Sequence, residues 1–178
     1  MDYRYAIALG SNRRHGRHGA PAAVITAAIG AMQEDGLVPI AASPVYATAA
    51  IGPAGRGFAN AAAVIETTLD PPALLARLKT IERGFGRRRG RRWGARVLDL
   101  DVLLWSGGEW RSPGLGVPHA GLAARRFVLD PLVTIAPGWR VSGGATVRQL
   151  HARLTRPVPL HRADDGRVRS SVGRASDF

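Results

Sequence analysis

The 178-residue chain contains no cysteine, which excludes a disulfide framework, a thiolate metal site and a cysteine nucleophile. No apolar run approaches the roughly 18 to 20 residues that span a bilayer, and the short apolar stretch at the N-terminus turns polar after Leu9. A cytoplasmic protein with no membrane contact is therefore expected. Aromatic residues make up only 6%, and much of the 46% hydrophobic content is alanine, so the core must come from a limited set of Leu, Ile, Val and aromatic positions. Familiar nucleotide motifs are also missing. Gly10 to Gly16 has no lysine after it, and Gly55-Arg56-Gly57 and Gly84-Phe85-Gly86 lack the third glycine of a dinucleotide fingerprint. No serine sits in a nucleophile elbow, and His15, His18, His119, His151 and His161 lack metal-ligand spacing.

What the chain has in excess is arginine. Net charge is +12, and Lys79 is the single lysine among 25 basic residues. Such a surface attracts polyanions, which leaves nucleic acid, membrane phosphate and nucleotides open. The distribution narrows the choice. Seven arginines fall between Arg83 and Arg96 with no acid among them, and the last 39 residues carry eight arginines against three aspartates. From Pro157 onward the apolar period is lost, which predicts one domain over residues 1–156 and a basic, disordered tail over 157–178.

Tyr3, Tyr5, Ile7 and Leu9 alternate with smaller or polar residues, predicting a strand that ends at Gly10-Ser11-Asn12. Val24, Ile25, Ala28, Ile29 and Met32 recur at helical spacing, closing near Gly36. Strands are expected over Val38–Tyr46, Ala59–Thr67 and Val97–Trp105, with a glycine-rich loop from Thr48 to Gly57. Asp70-Pro71-Pro72 starts a helix whose stripe is Leu74, Leu78, Ile81 and Phe85. Helical segments are expected from Ala123 to Ile135, with Asp130-Pro131 opening a separate helix, and from Thr146 to Leu154. Elements interleave without regular strand–helix alternation, so the reading is an α+β sandwich.

Asp99 and Asp101 lie two apart on the clearest strand, so both carboxylates share one face, about 6 to 7 Å apart at Cα. The same alternation assigns Leu98, Leu100, Val102 and Leu104 to the core face. Like charges on one face repel and call for a cation nearby. The ordinary reading is a solvated strand end. The sharper one is a pair of hard oxygen ligands for Mg²⁺, which takes one or two carboxylates and completes its shell with water and substrate phosphate. The neighbouring cluster Arg87, Arg88, Arg89, Arg91, Arg92 and Arg96, with Trp93 inside it, favours the second. Guanidinium forks beside a metal site suit phosphoryl or diphosphoryl transfer.

The run Arg92-Trp93-Gly94-Ala95-Arg96-Val97-Leu98-Asp99-Leu100-Asp101-Val102-Leu103 resembles the signature of the 6-hydroxymethyl-7,8-dihydropterin pyrophosphokinase family of folate biosynthesis. Ala8-Leu9-Gly10-Ser11-Asn12, Ser43-Pro44-Val45-Tyr46-Ala47-Thr48, Phe58-Ala59-Asn60 and Val117-Pro118-His119 followed by Arg125-Arg126-Phe127 extend the likeness in the same order. The resemblance implies a single-domain, ferredoxin-like α/β/α sandwich with a mainly antiparallel central sheet. It implies two Mg²⁺ ions on Asp99 and Asp101, with Arg87 and Arg96 assisting transfer. ATP, as co-substrate, would meet Glu82, Arg89, Trp93, His119 and Arg125. The pterin would meet Thr48, Ala49, Ile51 and Asn60, between the rings of Phe58 and Phe127. Without the resemblance, both phenylalanines would be assigned to the core, Glu82 to the helix surface and His119 to a turn. Ala49, Ala50, Ala95, Gly114, Gly116 and Ala120 depart from the family pattern.

The expected activity is Mg²⁺-dependent transfer of diphosphate from ATP to 6-hydroxymethyl-7,8-dihydropterin, by a monomer whose partners are these small molecules. Two alternatives stand beside it. One is a basic α+β nucleic-acid-binding protein, disfavoured because no strand shows the aromatic pattern of an RNA-binding sheet. The other is a homologue with impaired catalysis, against which Asp99, Asp101, Arg87 and Arg96 argue.

Overall fold

A computed structural model describes residues 1–48, 57–86 and 96–156. The chain runs β1 (Tyr3–Ser11), α1 (Pro21–Glu34), β2 (Val38–Ala42), β3 (Tyr46–Thr48), β4 (Phe58–Thr67), α2 (Pro71–Gly84), β5 (Asp99–Trp105), β6 (Trp110–Ser112), β7 (Leu115–Val117), α3 (Arg126–Ile135) and α4 (Val147–Thr155). The main sheet is antiparallel, with order β2-β4-β1-β5 and β3 also paired to β4. The expected α/β/α sandwich is what forms. Two cores flank the sheet.

Central β1 and β4 are buried on both sides, which is why β4 reads as a continuous apolar run rich in alanine. Tyr5, Ile7 and Leu9 of β1 and Ala59, Ala61, Ala63 and Ile65 of β4 pack under α1 and α2. Ala6 and Ala62 point the other way, into the core that Val128, Leu129 and Leu132 of α3 share with Val147 of α4. Two of these helices, α2 and α4, start at side-chain caps. Asp70 caps α2 by accepting the Ala73 N–H at 2.9 Å, and Thr146 forms a capping box with Gln149 at the start of α4.

Three expectations need correction. The strand expected over Val38–Tyr46 is broken, because Pro44 has no N–H to give. Ser43 takes over at the break: its hydroxyl accepts the Ala62 N–H at 3.0 Å and its own N–H donates to the Ala62 carbonyl at 2.9 Å. Leu104 does not share a face with Leu100 and Val102. Ala6 lies opposite Leu104 but Ile7 lies opposite Val102, so β5 carries one extra residue and both Leu103 and Leu104 turn toward α3 and α4. Pro131 opens no separate helix and sits inside α3. The bond it forgoes is to the carbonyl of Phe127, a residue exposed enough for water to serve instead.

The loop after β1 is closed by a backbone pair between His15 and Gly19, and the rings of His15, His18 and Phe85 stack in sequence. Burial lowers the His18 pKa, and positive charge on His15 and Arg17 lowers it further. A histidine depressed in the folded state contributes stability above its unfolded value of about 6.5, lost as pH falls through the folded value. Below that pH, the Gly19 amide is expected to exchange faster than intrinsic chemistry predicts, as followed by NMR. His18→Phe should remove the dependence.

Candidate active site

The antiparallel register sets the site. Gly10 on β1 lies opposite Asn60 on β4 and opposite Asp99 on β5, so Asn60, Gly10 and Asp99 form one row across three strands. The next row is Ala62, Ala8 and Asp101. All six residues lie on the α3–α4 side of the sheet. Neighbouring strands are about 4.8 Å apart, so the Cα atoms of Asn60 and Asp99 stand roughly 10 Å apart with a glycine between them. A Cβ on Gly10 would lie 3.7 Å from Asn60 Oδ1 and 4.0 Å from the Asp99 Cβ. The glycine keeps the floor of the site clear.

Cover is lost along β1 toward this row. Ala6 is buried beneath the helices, whereas Ala8 and Gly10 are only partly covered. Phe58 precedes Asn60 by two on β4 and shares its face, and Phe127 opens α3, which packs against β4 and β3. At 45% and 44% exposure, neither phenylalanine belongs to the core. Two large rings kept in water beside a polar floor suit a flat heteroaromatic ligand.

Each aspartate has a described cation. Arg96 Nη1 donates to Asp99 Oδ2 at 2.5 Å. Arg96 is itself pinned to the end of β1, where its N–H donates to Asn12 Oδ1 at 2.7 Å and its carbonyl accepts the Asn12 N–H at 3.1 Å. Asp101 Oδ1 lies 3.9 Å from Lys79 Nζ, which reaches round from α2. Among the described residues no three His, Cys, Asp or Glu side chains could hold a metal together. Two carboxylates on adjacent rows fit a cation that keeps water and substrate oxygens in its shell, such as Mg²⁺, better than one caged by protein.

Glu82, expected at the nucleotide, is fully buried against the sheet. Its Oε1 accepts the Leu100 N–H at 2.7 Å and pairs with Lys79 Nζ at 2.7 Å. Sequence reasoning missed Lys79 altogether. Its only signal was being the sole lysine in an arginine-rich chain.

His119 is tied to β5 by its N–H, which donates to the Leu103 carbonyl at 3.0 Å. Its Nδ1 accepts the Gly121 N–H at 3.0 Å, which leaves Nε2 as the ring nitrogen that can donate. Arg125 lies over Gly121, where a Cβ would come within 2.7 Å of Nε, and its guanidinium carbon is 5.8 Å from the Phe127 ring centre. The side of the sheet that carries Asn60 and Asp99 is thus bordered by a histidine, an arginine and Phe127. Thr48 ends β3 opposite Phe58. Ala49, Ile51, Arg87, Arg89 and Trp93 lie outside the described residues, as does the segment 157–178.

Two hollows of about 360 and 520 Å³ open elsewhere, lined by residues such as Arg4, Val64, Trp105 and Trp139. Arg4 is six residues along β1 from Gly10, roughly 20 Å away. Neither hollow includes a residue of the Asn60–Asp99 row. No described helix is long and apolar enough to cross a membrane.

The sequence model for 7,8-dihydro-6-hydroxymethylpterin-pyrophosphokinase matches residues 6–137. A Pseudomonas aeruginosa protein named 2-amino-4-hydroxy-6-hydroxymethyldihydropteridine pyrophosphokinase is 41% identical over 153 residues, covering 85% of this chain and 92% of that protein. A Haemophilus influenzae protein of the same name is 39% identical over 132 residues, or 73% of this chain and 79% of its own length. The Arabidopsis thaliana protein named mitochondrial folate synthesis bifunctional protein is 38% identical over 135 residues, which is 75% of this chain but 24% of that protein. The matched span holds both aspartates, Asn60, Glu82, His119, Arg125 and Phe127, and the chain belongs to the 7,8-dihydro-6-hydroxymethylpterin-pyrophosphokinase family of enzymes.

Proposed function

We propose that the chain transfers the β,γ-diphosphate of ATP to the hydroxymethyl oxygen of 6-hydroxymethyl-7,8-dihydropterin, releasing AMP. The observation that carries this reading is the row Asn60–Gly10–Asp99, with Asp101 beside it, on the partly covered end of a sheet face. It sets a hydrogen-bonding group for a ring edge and a pair of carboxylates for phosphate-bound cations at opposite sides of one floor. Mg²⁺ on Asp99 and Asp101, two ions by the family resemblance, would neutralise the phosphate oxygens and draw electrons from the β-phosphorus.

Phe58 and Phe127 would hold the pterin by its faces and Asn60 by its edge, which aims the hydroxymethyl group along the row toward Asp99. The hydroxyl oxygen forms a bond to the β-phosphorus and loses its proton, while the bond from that phosphorus to the α,β-bridging oxygen breaks and AMP departs. Arg96, fixed by Asn12, offers further donors to the transferring group. His119 Nε2–H and Arg125 supply a donor and a cation for the nucleotide. Arg87, Arg89 and Trp93 join this reading through the family pattern, as do Thr48, Ala49 and Ile51 on the pterin side. Holding two substrates in line is the main contribution of such a site.

The test is product identity. Purified protein with ATP, Mg²⁺ and the reduced hydroxymethylpterin is expected to yield AMP only when pterin is present. ADP would indicate a different phosphotransferase, and no turnover together with salt-sensitive RNA binding would move the assignment to a nucleic-acid-binding protein.

The clear floor yields a further expectation. Alanine at Gly10 makes only ordinary contacts, so Gly10→Ala should fold with stability unchanged or raised by ~0.4–1 kcal/mol. Its methyl group would stand under the ligand, and the KM for the pterin should rise about tenfold, equivalent to ~1.4 kcal/mol. Steady-state kinetics and a thermal melt together check both halves.

A further inference from the structure

We propose that Lys79 is a positioning residue for the metal-binding carboxylates, acting through the outer side of β5; the inference rests on the diphosphate-transfer reading and deepens it. Among the described residues β5 ends the sheet on one side, so alternate N–H and C=O groups of that strand have no described strand to pair with. Leu100, which stands between the two aspartates, is such a residue. Its N–H donates to Glu82 Oε1 at 2.7 Å and its carbonyl accepts from Lys79 Nζ at 3.0 Å. Lys79 and Glu82 are themselves joined at 2.7 Å. One ion pair on α2 therefore supplies both the acceptor and the donor that a further strand would have supplied. It holds the peptide groups on either side of Leu100, and these fix where Asp99 and Asp101 leave the backbone.

The residue type fits the task. Lys79 Nζ meets a carboxylate, a carbonyl and, at 3.9 Å, Asp101 Oδ1, three acceptors disposed around one point. A compact ammonium with three donors matches that arrangement, whereas a planar guanidinium is built for two parallel bonds. A chain that uses arginine at every other basic position uses lysine here.

Position and charge predict opposite outcomes, which makes the proposal testable. Deleting a positive charge beside Asp101 would by itself favour a divalent cation and lower the Mg²⁺ needed for turnover. Loosening the Leu100 peptides would instead spoil the near-ideal octahedral geometry that Mg²⁺ demands and raise it. For Lys79→Met, the half-saturating Mg²⁺ for pterin-dependent AMP formation is expected to rise at least fivefold. In the metal-free protein, the Leu100 amide is expected to exchange at least tenfold faster by NMR, while the Ile7 and Ile65 amides of the inner strands keep their rates. An unchanged or lowered Mg²⁺ requirement, or unchanged Leu100 exchange, would overturn the proposal. If Lys79→Met does not fold, Lys79→Gln keeps a donor and removes the charge, and the same two readouts decide. Absence of pterin-dependent AMP from the unsubstituted protein would defeat the functional reading, whereas the Leu100 exchange ratio judges the clamp with no substrate present.

Discussion

Asp99→Ala and Asp101→Ala should each lower AMP formation on the order of 10³-fold while leaving the fold intact. The loss is large because a diphosphate carries its charge into the transition state, and the described donor set has only two carboxylates to hold the cations that spread it. Neither aspartate is a core residue. Their side chains keep 22% and 39% exposure, and the described cations left behind, Arg96 at 40% and Lys79 at 35%, can be solvated. Among the described residues, removing one carboxylate therefore strands no buried charge, and it relieves the repulsion between two acids on one face. Unfolding free energies are expected within ~1 kcal/mol of the unsubstituted protein, by denaturant titration. Asn at either position would keep size and one acceptor oxygen but not the charge, and should recover little activity. Near-normal turnover in any of these variants would remove the metal role from the pair.

These aspartates were legible because their evidence is local. Residues two apart on a regular stretch of strand share a face, and the extra residue of β5 falls beyond Asp101. The same holds for the stripe of α1 and the Asp70 cap of α2, where residues three or four apart decide the outcome. What escaped reading depends on residues distant in sequence. The break between β2 and β3 needs the Ser43 hydroxyl at Ala62, nineteen positions away. The extra residue that turns Leu104 over is visible only in the pairing of β5 with β1. The β6–β7 hairpin has strands of three residues, too short to show a period. Phe58 and Phe127 look like core to any composition argument; the family resemblance instead assigns them to the pterin, and their exposure keeps both out of the core. The resemblance brings Asn60 and Asp99 to one site, but their place in a single row needs the register, since they sit on strands separated by β1.

Glu82→Ala should destabilise the protein by about 2 to 3 kcal/mol, and so lower the melting temperature by about 5 to 10 °C. The carboxylate is fully buried, and its Oε1 serves the Leu100 N–H and Lys79 at once. Alanine leaves that N–H at a sheet edge with no acceptor and leaves a space beneath α2 where the carboxyl group was. A glutamate that served only ATP would behave differently: the variant would melt normally and show a raised KM for ATP alone. Glu82→Gln separates the contributions, because its amide oxygen can still accept from Leu100 while the ion pair with Lys79 is gone. It should recover more than half of the lost stability, since the backbone N–H is again paired and Lys79 is exposed enough to turn toward water. Activity should follow stability only in part. Asp99 and Asp101 flank the peptide groups that Glu82 anchors, so the alanine variant is expected to lose turnover even at temperatures well below its melting point. A melting temperature unchanged in Glu82→Ala, with only the KM for ATP altered, would place the carboxylate at the nucleotide instead of at the strand edge.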